Sequence, residues 1–394
     1  MNSFTYYTPT KVIFGKDAES HLGEMLQEFG ATKVLIHYGG SSAERSGLLG
    51  RVRDTLKEVN IPYTELGGVV PNPRLSKVKE GIELCKKEGV DFLLAVGGGS
   101  VIDSCKAIGY GMCYDGDVWD FYSKKAVPKA SMPVGCVLTI AAAGSEMSDS
   151  SVITNEEGWL KRGCNNNACR CKFAICNPEL TYSLPPYQTA SGCVDIMMHT
   201  MERFFTEGES MEMSDAIALG LIKTVARNAK ILMKDPENYD ARAEVMWASS
   251  LSHNGLTGCG NIANGDWACH QMEHELGGMF DCTHGAGLAA IWGSWARYVM
   301  PENPARFAKF AREVFGVSVL GDDVATATQG IEAMEKLYKK LDMPVSIKEL
   351  GYELTDQQIE ELAFKCTFEG KRTIGGFKKL DGKDIKAILK MARG

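Results

Sequence analysis

No stretch of the 394-residue chain reaches the roughly 18 uninterrupted apolar residues that a membrane-spanning helix needs. Positive charge is also in short supply: 43 Lys and Arg face 50 Asp and Glu, a net charge of −7. Nucleic-acid binders and polybasic membrane-surface proteins need a clustered positive field, so neither a nucleic acid nor a membrane is expected as a partner. Proline is sparse at 13 residues, and the 42 glycines follow no period, which removes collagen-like and low-complexity readings. The opening Met1-Asn2-Ser3-Phe4-Thr5 has no basic stretch followed by an apolar one, so no export signal is read and a cytoplasmic setting is expected. The 13 cysteines are an odd number in a large chain without such a signal, which favours reduced thiols over a disulfide framework. Cys164, Cys169, Cys171 and Cys176 lie close in sequence but lack the paired Cys-x-x-Cys knuckles of a zinc ribbon.

With 44% hydrophobic residues the chain can bury a substantial core, and its length suits two domains of roughly 150–200 residues. The first part alternates strand and helix patterns. Val34-Leu35-Ile36, Tyr63 to Val70, Phe92 to Val96 and Pro133 to Leu138 read as strands; Leu49 to Val59 and Val78 to Lys87 have helical spacing. Such alternation predicts a parallel sheet covered by helices on both faces, with the loops after the strands gathered at one edge. Beyond Pro185-Pro186 the pattern becomes helical, most clearly over Tyr187–Phe205, Met211–Met233, Ala241–Asn254 and Ile331–Leu341. The boundary is placed there: an α/β domain over 1–185 and a helical one over 186–394.

Three small-residue loops follow strands. Gly97-Gly98-Gly99-Ser100 runs from a buried strand into a plausible helix, where glycines admit close backbone approach and free amides face an anion. A phosphate or pyrophosphate is the natural guest, although a tight turn without a ligand would use the same residues. The spacing is neither Gly-x-Gly-x-x-Gly nor a nucleotide-hydrolysing P-loop. Gly39-Gly40-Ser41-Ser42 has no carboxylate before Glu44, leaving room for a ribose 2′-phosphate, with Arg45 able to add charge. Thr139 to Glu146 is the third. Together the three favour a dinucleotide crevice.

Four of the seven histidines fall between 253 and 284, and His199 is a fifth. Asp195 and His199 stand four apart, as do His270 and His274, a spacing that puts each pair on one helix face. His284 follows. One carboxylate with imidazoles suits Zn²⁺ or Fe²⁺, whereas Mg²⁺ or Ca²⁺ would want more oxygens. A lone histidine on such a face is usually a hydrogen-bonded core residue, but five candidates on three segments favour a metal. Gly278 stands where a His-Glu-x-x-His zincin needs its second histidine, so a metalloprotease is disfavoured.

Over nearly its whole length the chain resembles the iron-containing (group III) alcohol dehydrogenases, most closely the NADPH-dependent butanol dehydrogenase and aldehyde reductase branch. The resemblance is carried by Thr8 to Lys16, Phe92 to Asp103, Gly135 to Glu146, Asn177 to Pro186 and the Asp and His positions above. It implies a dehydroquinate synthase-like fold: an α/β nucleotide-binding domain, an all-helical metal-binding domain, a cleft between them, and homodimers. It implies Asp195, His199, His270 and His284 as ligands of one divalent metal, Fe²⁺ or Zn²⁺, and His274 as a nearby residue able to relay a proton. For NADP, with NAD possible, it implies Gly40, Ser42, Gly97, Gly98, Gly99, Ser100, Asp103, Thr139, Ser145, Lys161 and Tyr182. The implied activity interconverts short- to medium-chain primary alcohols and aldehydes, butanol-like in size. A polyol dehydrogenase on the same scaffold, or a non-catalytic metal- and nucleotide-binding protein, is the alternative.

Overall fold

A computed structural model of the chain describes residues 1–206, 211–262, 265–318 and 321–394. The chain divides into two compact units, Tyr7–Leu184 and Pro185–Gly394, with Met1–Tyr6 grouped with the second. Those first six residues depart from the sequence reading, which leaves them in the first domain. The reason is local: the backbone and side-chain nitrogens of Asn2 both donate to the Gly260 carbonyl, at 3.2 and 3.1 Å.

The first unit runs β1 (Lys11–Phe14), α1 (Leu22–Glu28), β2 (Val34–Tyr38), α2 (Ser42–Arg45), α3 (Leu48–Glu58), β3 (Tyr63–Leu66), α4 (Leu75–Glu88), β4 (Phe92–Gly97), α5 (Gly99–Met112), α6 (Trp119–Tyr122), β5 (Val134–Leu138), β6 (Ser150–Asn155), β7 (Leu160–Asn165) and β8 (Phe173–Cys176). Six strands form a sheet in the order β1-β8-β5-β4-β2-β3, and every pairing in it is parallel. Val34, Ile36, Phe92, Leu94, Val96, Phe173 and Ile175 share one core with Leu22, Met25, Leu26, Leu49, Val52 and Leu56 from α1 and α3. The alternate residues Leu35, Leu93, Ala95 and Cys136 are buried as well. Burial on both faces explains why these strands read as continuous apolar runs.

β3, the β6–β7 hairpin and the helix that begins at Asp323 rather than Ile331 differ from the sequence reading. β3 stops at Leu66 rather than Val70, because Gly68 turns the chain at φ +87°. The antiparallel hairpin β6–β7 was not legible, since Ser150–Asn155 is largely polar. It is held on α5 by bonds, among them Val152 N–H to the Asp103 carboxylate at 2.9 Å, rather than by an apolar stripe.

The second unit is built from α7 (Pro186–Phe204), α8 (Glu212–Leu232), α9 (Tyr239–His253), α10 (Ala268–Phe280), α11 (His284–Val299), α12 (Pro304–Phe315), α13 (Asp323–Lys340), α14 (Asp356–Cys366) and α15 (Gly382–Ala392). Pro186 opens α7, where a missing N–H costs nothing. Every residue from Thr189 to Phe204 is buried, so α7 is the axis of this unit. At its end Phe205 stacks on Phe307 at 4.2 Å and meets Trp295 and Phe310 at 5.9 and 5.3 Å. No described helix is long and apolar enough to cross a membrane.

His37, wholly buried in β2, joins three elements: Nδ1 meets the Leu66 carbonyl at 2.7 Å and Nε2 the Ser104 hydroxyl at 2.9 Å. Burial pushes its pKa down to about 4, against the Leu66 bond that favours the charged form. The unfolded chain therefore binds a proton here below about pH 6.5 that the folded one takes up only near pH 4. This stability is complete above pH 6.5 and drains away as the pH falls toward 4, by about 3 kcal/mol at 1.36 kcal/mol per pKa unit. His37→Asn is expected to flatten that acid limb in thermal unfolding scanned from pH 7 to 4. An unchanged limb would remove His37 from the account.

Candidate functional site

α7 presents Asp195, His199 and Glu202 at i, i+4 and i+7, which places all three on one face. α10 brings His270 and Glu273 one turn apart, and α11 begins at His284. Asp195 Oδ1 lies 3.3 Å from His199 Nδ1, 3.5 Å from His270 Nε2 and 3.7 Å from His284 Nε2. Asp195, His199 and His270 offer ligand atoms that all fall within 4.8 Å of one another. Asp195 Oδ1, His199 Nδ1 and His270 Nε2 are buried, and none makes a hydrogen bond. Polar atoms left so are costly unless something else meets them. One anionic oxygen surrounded by imidazole nitrogens is the donor set of a borderline divalent cation, so the residues present fit such an ion.

Two carboxylates that the sequence reading missed aim these rings. Glu202 accepts from His270 Nδ1, and Glu273 accepts from His284 Nδ1. With Nδ1 occupied, each ring turns Nε2 toward Asp195, the arrangement by which carboxylates orient metal-binding histidines. The only signal in the sequence was spacing, since 195, 199 and 202 share a helix face and 270 and 273 share another. Gly287 makes room for Glu273: a Cβ there would stand 2.9 Å from Glu273 Cγ. Gly285 lets the start of α11 lie directly on the Ser191 backbone of α7, since any Cβ would overlap the Ser191 carbonyl.

Behind His199, Arg203 donates to the His199 and Ser252 carbonyls at 3.0 and 2.9 Å, meets His253 Nδ1 at 3.0 Å and lies over the Trp267 ring. Burial, then His253 and His270, hold His199 far below the usual histidine range, so it is a neutral imidazole with a lone pair to give. Burial also opposes charge on His270, yet Glu202 and Asp195 outweigh it and lift its pKa to about 9. The cluster thus draws positive charge to the point where three rings face one carboxylate. His274 is half-buried at the edge of the cluster, its ring 6.0 Å from that of His284.

In the α/β unit, strand order reverses between β2 and β4: β2 leads outward to β3, and β4 leads the other way to β5. Ligands of open α/β sheets bind outside the carboxyl ends of strands at such a point. Gly40 and Ser42 are exposed just beyond β2, and Gly97 to Ser100 follow β4 into the first turn of α5. The glycine triplet also has a packing cause. A Cβ on Gly97 would press on Val101, one on Gly98 would come within 2.9 Å of Ile140, and one on Gly99 within 3.0 Å of Ala143. Thr139 joins the same edge, its N–H donating to the Gly97 carbonyl at 3.0 Å. Asp103 and Ser145 are bonded to each other at 2.5 Å, and the second carboxylate oxygen of Asp103 takes the Val152 N–H. Lys161 is buried on β7 opposite Thr154, and Tyr182 is half-buried just past the short 3₁₀ turn Pro178–Thr181. None of the thirteen cysteines is in a disulfide, and among the described residues the one group placed to hold a metal is that of Asp195, His199 and His270.

The profile of the iron-containing alcohol dehydrogenases matches residues 9–178, and that of the C-terminal domain of the Fe-containing alcohol dehydrogenase family matches residues 189–393. The chain belongs to the iron-containing alcohol dehydrogenase family. It is 41% identical over 391 residues to the probable NADH-dependent butanol dehydrogenase 1 of Bacillus subtilis, covering 99% of each chain. It is 34% identical over 378 residues to the NADPH-dependent aldehyde reductase YqhD of Escherichia coli, covering 95% of each. The crystal structure of NADH-dependent butanol dehydrogenase A from Thermotoga maritima superposes with a TM-score of 0.96 at 38% identity, over 100% of this chain and 99% of that one. Membership makes the protein an alcohol–aldehyde oxidoreductase that works with a nicotinamide cofactor and a metal. The relatives' names divide between the two nicotinamides.

Proposed function

We propose that this chain is a metal-dependent, NAD(P)H-linked dehydrogenase that interconverts short- to medium-chain primary alcohols and aldehydes, with butanal and butanol as representative substrates. The observation that carries the reading is the buried, unbonded meeting of Asp195, His199 and His270, with His284 beside them. In this reading those four residues hold one divalent ion, Fe²⁺ or Zn²⁺, while Glu202 and Glu273 fix the rings that face it. When bound, the ion supplies Lewis acidity toward a substrate oxygen and the nicotinamide supplies or accepts the hydride. His274 exchanges the hydroxyl proton through a ring nitrogen, and no side chain is needed as a covalent nucleophile. In the α/β unit the first-turn amides of α5 meet the pyrophosphate, and the turn after β2 meets the adenosine ribose. The names of the butanol dehydrogenase and aldehyde reductase relatives support this substrate class. A cytoplasmic homodimer completes the proposal.

For the cofactor we propose a preference for NADP, with NAD also accepted. Gly40 has nothing within 4 Å of a would-be Cβ, and Glu44, the nearest acid, is turned onto Arg53 at 2.9 Å. Arg53 also takes Glu65 at 2.8 Å, so the carboxylate that would repel a 2′-phosphate is engaged elsewhere. Gly40→Asp is sterically free and is expected to shift the ratio of kcat/KM values at least tenfold toward NADH, about 1.4 kcal/mol. The measurement is butanal reduction with both reduced cofactors, before and after the substitution. A wild-type preference for NADH, or an unmoved ratio, would show that this turn does not read the ribose.

A further inference from the structure

Lys106 lies in the middle of α5, wholly buried, and its ammonium meets five oxygens of one short stretch. These are Ser145 O at 2.6 Å, Ser145 Oγ at 3.0 Å, Ser148 O at 3.0 Å, Ser148 Oγ at 3.3 Å and Ser150 O at 2.8 Å. One turn earlier on the same helix face, Asp103 takes the Ser145 hydroxyl at 2.5 Å and the Val152 N–H at 2.9 Å, while its carbonyl takes the Ser151 hydroxyl at 2.8 Å. Two side chains three residues apart therefore hold the run from Ser145 to Val152.

Burying an ammonium among neutral oxygens is expensive, and an apolar side chain of similar length would fill the volume without that cost. What the ammonium does, and methionine cannot, is fix several carbonyls of a segment that has no ladder of its own until β6. That segment continues the loop that begins at Thr139, whose first half lies close on the glycine turn: a Cβ on Gly98 would come within 2.9 Å of Ile140 and one on Gly99 within 3.0 Å of Ala143. The loop is thus tied at its far end to the helix whose first turn it borders at its near end.

We propose that Lys106, together with Asp103, is a positioning residue for the dinucleotide: it clamps the 139–150 loop onto α5 and so sets the opening beside Gly97–Ser100 in which the cofactor phosphates sit. This rests on the reading of that sheet edge as the dinucleotide site.

The test compares wild type with Lys106→Met and Ser148→Ala, measuring Kd for NADH and NADPH by fluorescence titration, alongside thermal unfolding, metal content and steady-state kinetics with butanal. Lys106→Met is expected to weaken both nicotinamides tenfold or more and to raise the cofactor KM in step. At saturating cofactor, kcat should stay within about twofold, and metal content should be unchanged. Ser148→Ala, which removes one of the five acceptors of Lys106 together with the hydroxyl's bonds to Ser150, is expected to weaken both a few-fold and serves if Lys106→Met does not fold. A folded Lys106→Met, or failing that Ser148→Ala, with lowered thermal stability but wild-type Kd overturns the proposal and leaves Lys106 a purely structural anchor. A wild-type chain that binds neither nicotinamide overturns the site reading itself, and the proposal with it.

Discussion

His270→Ala is expected to lose its metal and, with it, turnover by a factor on the order of 1000, equivalent to about 4 kcal/mol of transition-state stabilisation. The ring is buried between Asp195 and Glu202, and removing it takes away one donor and leaves Glu202 accepting only from the backbone N–H of residue 270, at 3.2 Å. Far-ultraviolet circular dichroism should change little, because the bond that ties the start of α10 to the preceding turn is untouched: Asp266 accepts from the Ala268 N–H at 3.0 Å. The comparison that gives this its force is His274→Ala. At the rim of the cluster, with its ring 6.0 Å from that of His284, His274 should keep the metal and lose rate. Metal analysis and butanal turnover on the two variants check both statements. A His270→Ala protein with full metal and wild-type rate would remove it from the ligand set, and loss of metal from His274→Ala would mean that the two roles are exchanged.

Glu202→Gln is the second large effect. The glutamine matches the glutamate in shape but not in charge, so the His270 ring is held less firmly and its Nε2 becomes a poorer donor. Metal affinity is expected to fall by about 10- to 100-fold, the usual cost of removing a carboxylate behind a metal-binding histidine. Competition with a chelator of known affinity measures it, and the lost activity should return when the ion is supplied in excess. Undiminished affinity would mean that Glu202 only fills space.

The residues that converge on Asp195 were legible because an α-helix turns fixed spacings into shared faces. Asp195 and His199 had to be neighbours once α7 was recognised, and so did His270 and His274. Proximity between helices was not legible from spacing, and it separates His270, which faces Asp195, from His274, which sits at the edge. Glu202 and Glu273 were overlooked because a glutamate on an otherwise apolar helix reads as a solvated charge until its buried partner is seen. The parallel sheet was legible for the opposite reason, since strands covered on both faces show as apolar blocks. The β6–β7 hairpin escaped because polar bonds to Asp103 hold it in place of an apolar pattern. Lys106 escaped likewise, as a lysine in a helix ordinarily faces water. The glycine triplet was read as room for a phosphate, and the contacts of Gly98 with Ile140 and Gly99 with Ala143 add a second demand on the same residues.

One divalent ion held by the cluster of Asp195, His199, His270 and His284 is expected to be required for NAD(P)H-linked aldehyde reduction. The most direct measurement is a titration: protein purified without oxygen, stripped with a chelator, then reloaded with Fe²⁺ or Zn²⁺ while butanal reduction is followed. The stripped protein is expected to show no turnover, and reloading a linear rise that saturates at one ion per chain. Undiminished turnover in the metal-free protein would contradict that requirement.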